Sequence, residues 1–220
     1  MTMSTASTAT RFIRDFIFIF GGFTQTAGSD SGMMRLWARL FRWRATSLAH
    51  AATLILPRRW KDDPEEMTHL LERHVHHTLP PRIVIAGYSW GAGYGAIRLA
   101  KRLRKAGHDV DLMILVDPVY RSRLPAGFRL LAFTTWFGIR VPDNVKNIIV
   151  WRQSNHGPRG THIIAEDANA TTFIGEHDLS SLGLTHATIQ YHTEMLDDSM
   201  TRIVAQLTSP QLPLELRSRR

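Results

Sequence analysis

Apolar residues in this chain fall in short continuous runs separated by longer stretches whose apolar positions recur at helical spacing. The first run, residues 16–20 (Phe-Ile-Phe-Ile-Phe), stops at Gly21-Gly22. Others cover 51–56, ended by Pro57; 82–88, rich in β-branched residues; 110–116, ended by Asp117-Pro118; and 145–151. Between them, 33–44 sets Arg35, Arg39 and Arg42 opposite Leu36, Trp37, Leu40 and Phe41, as an amphipathic helix does. Pro64 opens a second helix to about residue 77, since proline suits the first helical turn. A third helix is predicted over 90–106 with Gly107 as its C-cap, and a last one over 193–207. Residues 153–183 read as loop, with a short strand at 162–165. Strands alternating with helices in this order are the pattern of an α/β protein with a mostly parallel sheet.

Composition narrows the class. Of 220 residues, 44% are hydrophobic and 21% charged, which excludes disordered, collagen-like and fibrous chains and fits one domain with a sizeable core. The expected organisation is a flexible Ser/Thr-rich segment (1–10), a single domain (11–208) and a basic tail (209–220). An apolar insertion at 121–142, carrying Phe128, Leu130, Leu131, Phe133, Trp136 and Phe137, reads either as a lid over a site or as an ordinary core helix. The chain has no cysteine, so disulfides, thiolate metal sites and a cysteine nucleophile are excluded.

Charge adds less. The 27 Lys+Arg against 19 Asp+Glu give +8, which predicts peripheral attraction to anionic surfaces without naming one. The basic run Lys101-Arg102-Leu103-Arg104-Lys105 lacks interleaved aromatics and any nucleic-acid motif, so it reads as a solvated helix face and no specific nucleic acid is expected. His74, His76 and His77 lack a carboxylate at ligand spacing and read as a solvated helix end, with no metal expected. The 16–20 run is too short for a signal sequence and lacks a small-residue cleavage site after it. No apolar stretch nears the roughly 18 to 20 residues of a membrane-spanning helix, so a cytoplasmic location is expected.

The candidate chemistry lies in Gly87-Tyr88-Ser89-Trp90-Gly91, between a buried strand and a helix. A serine on a strained strand-to-helix bend stands above the sheet, and a Cβ at either flanking glycine would strike neighbouring backbone. The positive end of the following helix favours a developing oxyanion, with the Trp90 N–H as a donor.

With this motif in this context, the chain resembles the α/β-hydrolase superfamily from about residue 16 to 207. The resemblance implies a three-layer α/β-hydrolase-like fold with a mostly parallel, reduced central sheet. It further implies a nucleophile, an acid and a histidine in that chain order. Asp117 is the expected acid: members of the superfamily more often carry it one strand later, but there this chain reads Trp151-Arg152-Gln153-Ser154. Asp117 also suits a turn before Pro118. His186 is the expected base, with His177 and His192 left open and His156 and His162 further upstream. A second oxyanion donor is implied in the turn Gly21-Gly22-Phe23-Thr24, at the N–H of Phe23 or of Thr24. The implied activity is that of a serine hydrolase on carboxylic esters or thioesters of lipid-like or other acyl compounds, with no cofactor. The alternative is a non-catalytic binding protein of the same fold.

Overall fold

A computed structural model of the chain describes residues 13–26, 28–46, 50, 52–75, 80–119 and 138–210. The expectations for the N-terminal segment, for most of the 121–142 insertion and for the tail beyond residue 210 lie outside the described residues. Six parallel strands form the central sheet: β1 (Asp15–Phe20), β2 (Thr53–Arg58), β3 (Arg82–Tyr88), β4 (Leu112–Val116), β6 (Asn147–Arg152) and β8 (Thr172–Asp178). Their order is β2-β1-β3-β4-β6-β8. A separate parallel pair joins β5 (Ile139–Val141), at the end of the insertion, to β7 (Ile163–Ala165).

Side chains alternate across the sheet, and both faces are covered, which is why the strands read as unbroken apolar runs. Phe16, Phe18 and Phe20 pack with Met67 and Leu71 of α2 (Pro64–His74) and with Leu99 and Leu103 of α3 (Ile97–Lys105). Ile17 and Ile19 face the other way, onto Leu36 and Leu40 of α1 (Gly32–Ala45) and Met195 and Ile203 of α5 (Thr193–Thr208). The result is the three-layer α/β architecture expected from the sequence, with a parallel six-stranded sheet between two layers of helices. Among the described residues no helix is long and apolar enough to cross a membrane.

Several local expectations are corrected. Pro57 does not end β2: it pairs with Ile19 inside the strand. β2 is an edge strand, and there the missing N–H breaks no ladder. In α1 the buried stripe is Met33, Leu36 and Leu40, while Phe41 is 49% exposed. The helix after Ser89 opens as a wide π turn over Gly91–Ala96 and becomes α-helical only from Ile97. Gly107 does end it, at φ +79°, a conformation that glycine adopts at little cost. β8 lies in the stretch read as loop. It is the opposite edge strand, with Phe173 and Ile174 exposed and Glu176 and Asp178 in its sequence, so it lacks the apolar run that marks a buried strand.

One buried ion pair closes the end of the sheet away from the Ser89 bend. Arg82 Nε lies 2.7 Å from Asp15 Oδ1, with both side chains 3% exposed. Thr53 Oγ1 donates to Asp15 Oδ2 at 3.1 Å, and Arg82 Nη1 donates to the Ser209 carbonyl at 3.1 Å. The pair thus joins β1, β2, β3 and the end of α5. Removing one partner strands the other charge in the interior, at a cost of about 3–5 kcal/mol. Asp15→Ala is therefore expected to lower unfolding stability by about that amount in urea titrations, whereas a loss below about 1 kcal/mol would show that water reaches Arg82.

Candidate active site

The bend at Ser89 is built by close backbone approach. A Cβ on Gly87 would lie 2.8 Å from Ala92 N, and one on Gly91 would lie 2.3 Å from the Gly21 carbonyl oxygen. No side chain fits either place. Ser89 itself takes φ 58°, a left-handed conformation that costs a residue with a Cβ about 1–3 kcal/mol and persists only where its surroundings impose it. They do so through hydrogen bonds: Ser89 N–H donates to the Val116 carbonyl at 3.0 Å, and the Ser89 carbonyl accepts from Gly93 N at 2.9 Å and Val119 N at 3.1 Å.

Asp117 ends β4 in the same manner, with φ 42° and its side chain fully buried. Its carboxylate accepts three donors. Oδ1 takes the Gln153 N–H at 3.0 Å, while Oδ2 takes Gln153 Nε2 at 3.1 Å and His186 Nδ1 at 2.6 Å. The other imidazole nitrogen, His186 Nε2, lies 2.8 Å from Ser89 Oγ. Because a carboxylate only accepts, the Nδ1 proton points at Asp117 and Nε2 is left as acceptor for the serine hydroxyl. This arrangement can draw a proton off Ser89 Oγ while holding the resulting imidazolium beside a negative charge.

His186 opens the short helix α4 (His186–Ile189). Thr185 caps that helix by accepting from Thr188 N, and the Thr188 side chain returns the bond to the cap backbone, which fixes the angle at which the helix starts. The Tyr88 ring stacks on His186 with centroids 5.0 Å apart, and its hydroxyl donates to the His186 carbonyl at 2.6 Å. Burial, with the Asp117 charge adding to it, pushes the Tyr88 phenol well above its ordinary range, so it stays protonated as a donor.

The other histidines are engaged elsewhere. His177 stacks on Trp151 at 3.8 Å, His192 is the N-cap residue of α5, and His162 Nδ1 sits 3.2 Å from Arg152 Nη1. The His156 N–H donates to Gln153 Oε1. None of them reaches Ser89. The turn carrying Phe23 and Thr24 abuts the serine, since a Cβ on Gly22 would lie 3.4 Å from Ser89 Cβ. The Phe23 ring meets Trp90 edge-on at 4.4 Å. Gln25 holds this turn in two directions: Oε1 accepts the Gly22 N–H at 2.9 Å, and Nε2 donates to Gln190 Oε1 at 2.8 Å.

Sequence reasoning passed over Gln153, Tyr88, Gln25 and Gln190. Gln153 does carry a signal: it directly follows β6, where the resemblance more often implies a carboxylate. Its fully buried amide shares two Nε2 protons among Asp117 Oδ2 and the carbonyls of His156 (2.9 Å) and Pro158 (2.8 Å). Tyr88 lies inside the motif, but only the fold brings α4 over its ring.

No family model and no curated protein matches the sequence. Solved structures do align with the fold. A hyperthermophilic esterase from the archaeon Pyrobaculum calidifontis aligns at a TM-score of 0.46 and 12% identity, over 88% of this chain and 76% of that one. Est1E from Butyrivibrio proteoclasticus aligns at 0.45 and 9%, over 90% of both chains. The thioesterase domain SrfTE, described for the cyclization of the lipopeptide antibiotic surfactin, aligns at 0.45 and 14%, over 90% of this chain and 94% of that one.

Gln153→Leu keeps the side-chain volume but leaves Asp117 Oδ2 and two carbonyls short of a donor. Losing a hydrogen bond to a buried carboxylate costs about 1.5–3 kcal/mol. The expected result is a lower denaturation midpoint with an unchanged far-UV spectrum; an unaltered midpoint would mean that water substitutes for the amide.

Proposed function

We propose that the chain is a serine hydrolase of the α/β-hydrolase superfamily, cleaving carboxylic esters or thioesters of lipid-like or other acyl compounds through an acyl-enzyme. The observation that supports this reading is the continuous hydrogen-bonded chain from Ser89 Oγ through His186 to the buried Asp117 carboxylate, at 2.8 and 2.6 Å.

In this mechanism Ser89 Oγ attacks the acyl carbon as its proton passes to His186 Nε2. The carbonyl oxygen takes the negative charge of the tetrahedral intermediate, facing the N–H of Trp90 and that of Phe23 or Thr24. When the carbon–oxygen or carbon–sulfur bond to the leaving group breaks, the imidazolium returns its proton to that group. Water then attacks the acyl-serine, His186 accepts the water's proton, and Ser89 Oγ leaves with it as the acid is released. Asp117 keeps the imidazole in the required tautomer and offsets its charge, and Gln153 positions the carboxylate.

A p-nitrophenyl ester series of increasing acyl length tests the proposal, with fluorophosphonate labelling alongside. Ser89→Ala and His186→Ala are each expected to reduce kcat by at least about ten-thousand-fold, and Ser89→Ala to abolish labelling. Asp117→Asn is expected to cost about ten-thousand-fold, because an amide facing Nδ1 favours the wrong tautomer. A folded wild type that neither turns over esters nor takes the label would overturn the hydrolase reading and favour a non-catalytic binding protein.

A further inference from the structure

The turn after β1 and the segment after β2 line an open cavity of about 300 Å³. Phe23 and Trp60 make its lining aromatic, and both rings meet Trp90, the residue following the serine. The Trp60 ring stands edge-on to Trp90 at 5.1 Å and tilted against Phe23 at 6.0 Å. Trp60 Nε1 donates to the Phe23 carbonyl at 2.9 Å, tying the two segments together. Phe23 is nonetheless 59% exposed, an apolar surface in the lining of the cavity. Thr24 and Thr26 add hydroxyls to the lining.

The same cavity is lined by two cations, Arg59 and Lys61. Both residues are exposed, and neither side chain forms an ion pair among the described residues. The carboxylates nearest in sequence are turned to backbone. Asp62 Oδ2 accepts the Arg59 N–H at 2.9 Å, and Asp63 Oδ1 caps α2 at Glu65 N at 3.0 Å. The cavity therefore joins aromatic rings that meet Trp90, the neighbour of Ser89, to a guanidinium and an ammonium. A neutral ester would use only the rings. A substrate bearing a carboxylate or phosphate beyond an apolar segment would use both, and a guanidinium fork suits either anion.

We propose that this cavity selects acyl substrates carrying an anionic group, carboxylate or phosphate. Phe23 and Trp60 cover the apolar segment next to the scissile bond, and Arg59 and Lys61 hold the anion. The inference rests on the hydrolase reading above and names its substrate class.

Matched ester pairs test it. Mono-p-nitrophenyl adipate against p-nitrophenyl hexanoate puts the anion on the acyl side, and 4-(hexanoyloxy)benzoate against phenyl hexanoate puts it on the alcohol side. The expected result is a kcat/KM preference of about tenfold or more for the anionic member of one pair, carried by KM, the scale of a charge-assisted hydrogen bond. Added salt should erode that preference, and Arg59→Gln/Lys61→Gln should bring the ratio close to one. Replacing the carboxylate by phosphate in the preferred probe shows which anion fits better. Wild-type ratios near one in both pairs, or a ratio that the double variant does not move, would overturn the inference while leaving the hydrolase reading standing. Absence of turnover of all four esters would instead contradict the hydrolase reading itself.

Discussion

Gly91 brings the backbone beyond Ser89 so close to the Gly21 carbonyl that a methyl group on its α-carbon would sit 2.3 Å from that oxygen. Three segments meet there without a side chain between them: the end of β1, the end of β3 and the opening turn of the following helix. This contact holds Ser89 in its left-handed conformation and presses the Gly22 turn against it. Distance in the rest of the site is measured from here. Asp117 is placed by the neighbouring strand, through the Ser89 N–H bond to Val116 and the Asp117 N–H bond to the Trp151 carbonyl. Both residues sit at φ above zero, so two strand ends carry strain at the point where polar side chains converge.

The remaining side chains work against looseness. Gln153 supplies two of the three hydrogen bonds to the Asp117 carboxylate, and its side-chain Oε1 accepts the His156 N–H. Tyr88 stacks on His186 and grips its backbone, so one residue of the bend supports the imidazole that faces its neighbour. Through Gln190, Gln25 links the Phe23 turn to the residue that ends α4. The turn beside the serine and the helix bearing the histidine are therefore coupled directly by two amides. Such polar networks specify a geometry only when their members are satisfied, and within the described residues these members are.

Legibility in the sequence followed burial. Strands covered on both faces, such as β1 and β3, announce themselves as apolar runs because, beyond the paired Asp15 and Arg82 at their starts, both faces need apolar cover. The edge strands do not: β2 tolerates Pro57, and β8 carries the exposed Phe173 and Ile174 followed by Glu176 and Asp178. Helix faces were readable to within one position, and Phe41 shows the limit, since its spacing matches the buried stripe but its ring lies outside it. In the site, the glycine spacing around Ser89 carried a steric argument that the backbone distances express directly. The choice among His177, His186 and His192 was open because chain position says nothing of which imidazole a loop returns to the serine. Gln153 was passed over because a neutral amide looks inert until a buried carboxylate is found beside it.

The proposed hydrolysis requires Ser89 Oγ to become acylated. The direct measurement is intact-protein and peptide mass spectrometry after rapid acid quenching of the protein with an activated p-nitrophenyl ester. The expected result is one acyl group per chain, on the peptide carrying Ser89, which accumulates and then decays as product forms. Product release with no acyl adduct, or an adduct on another residue, would contradict it.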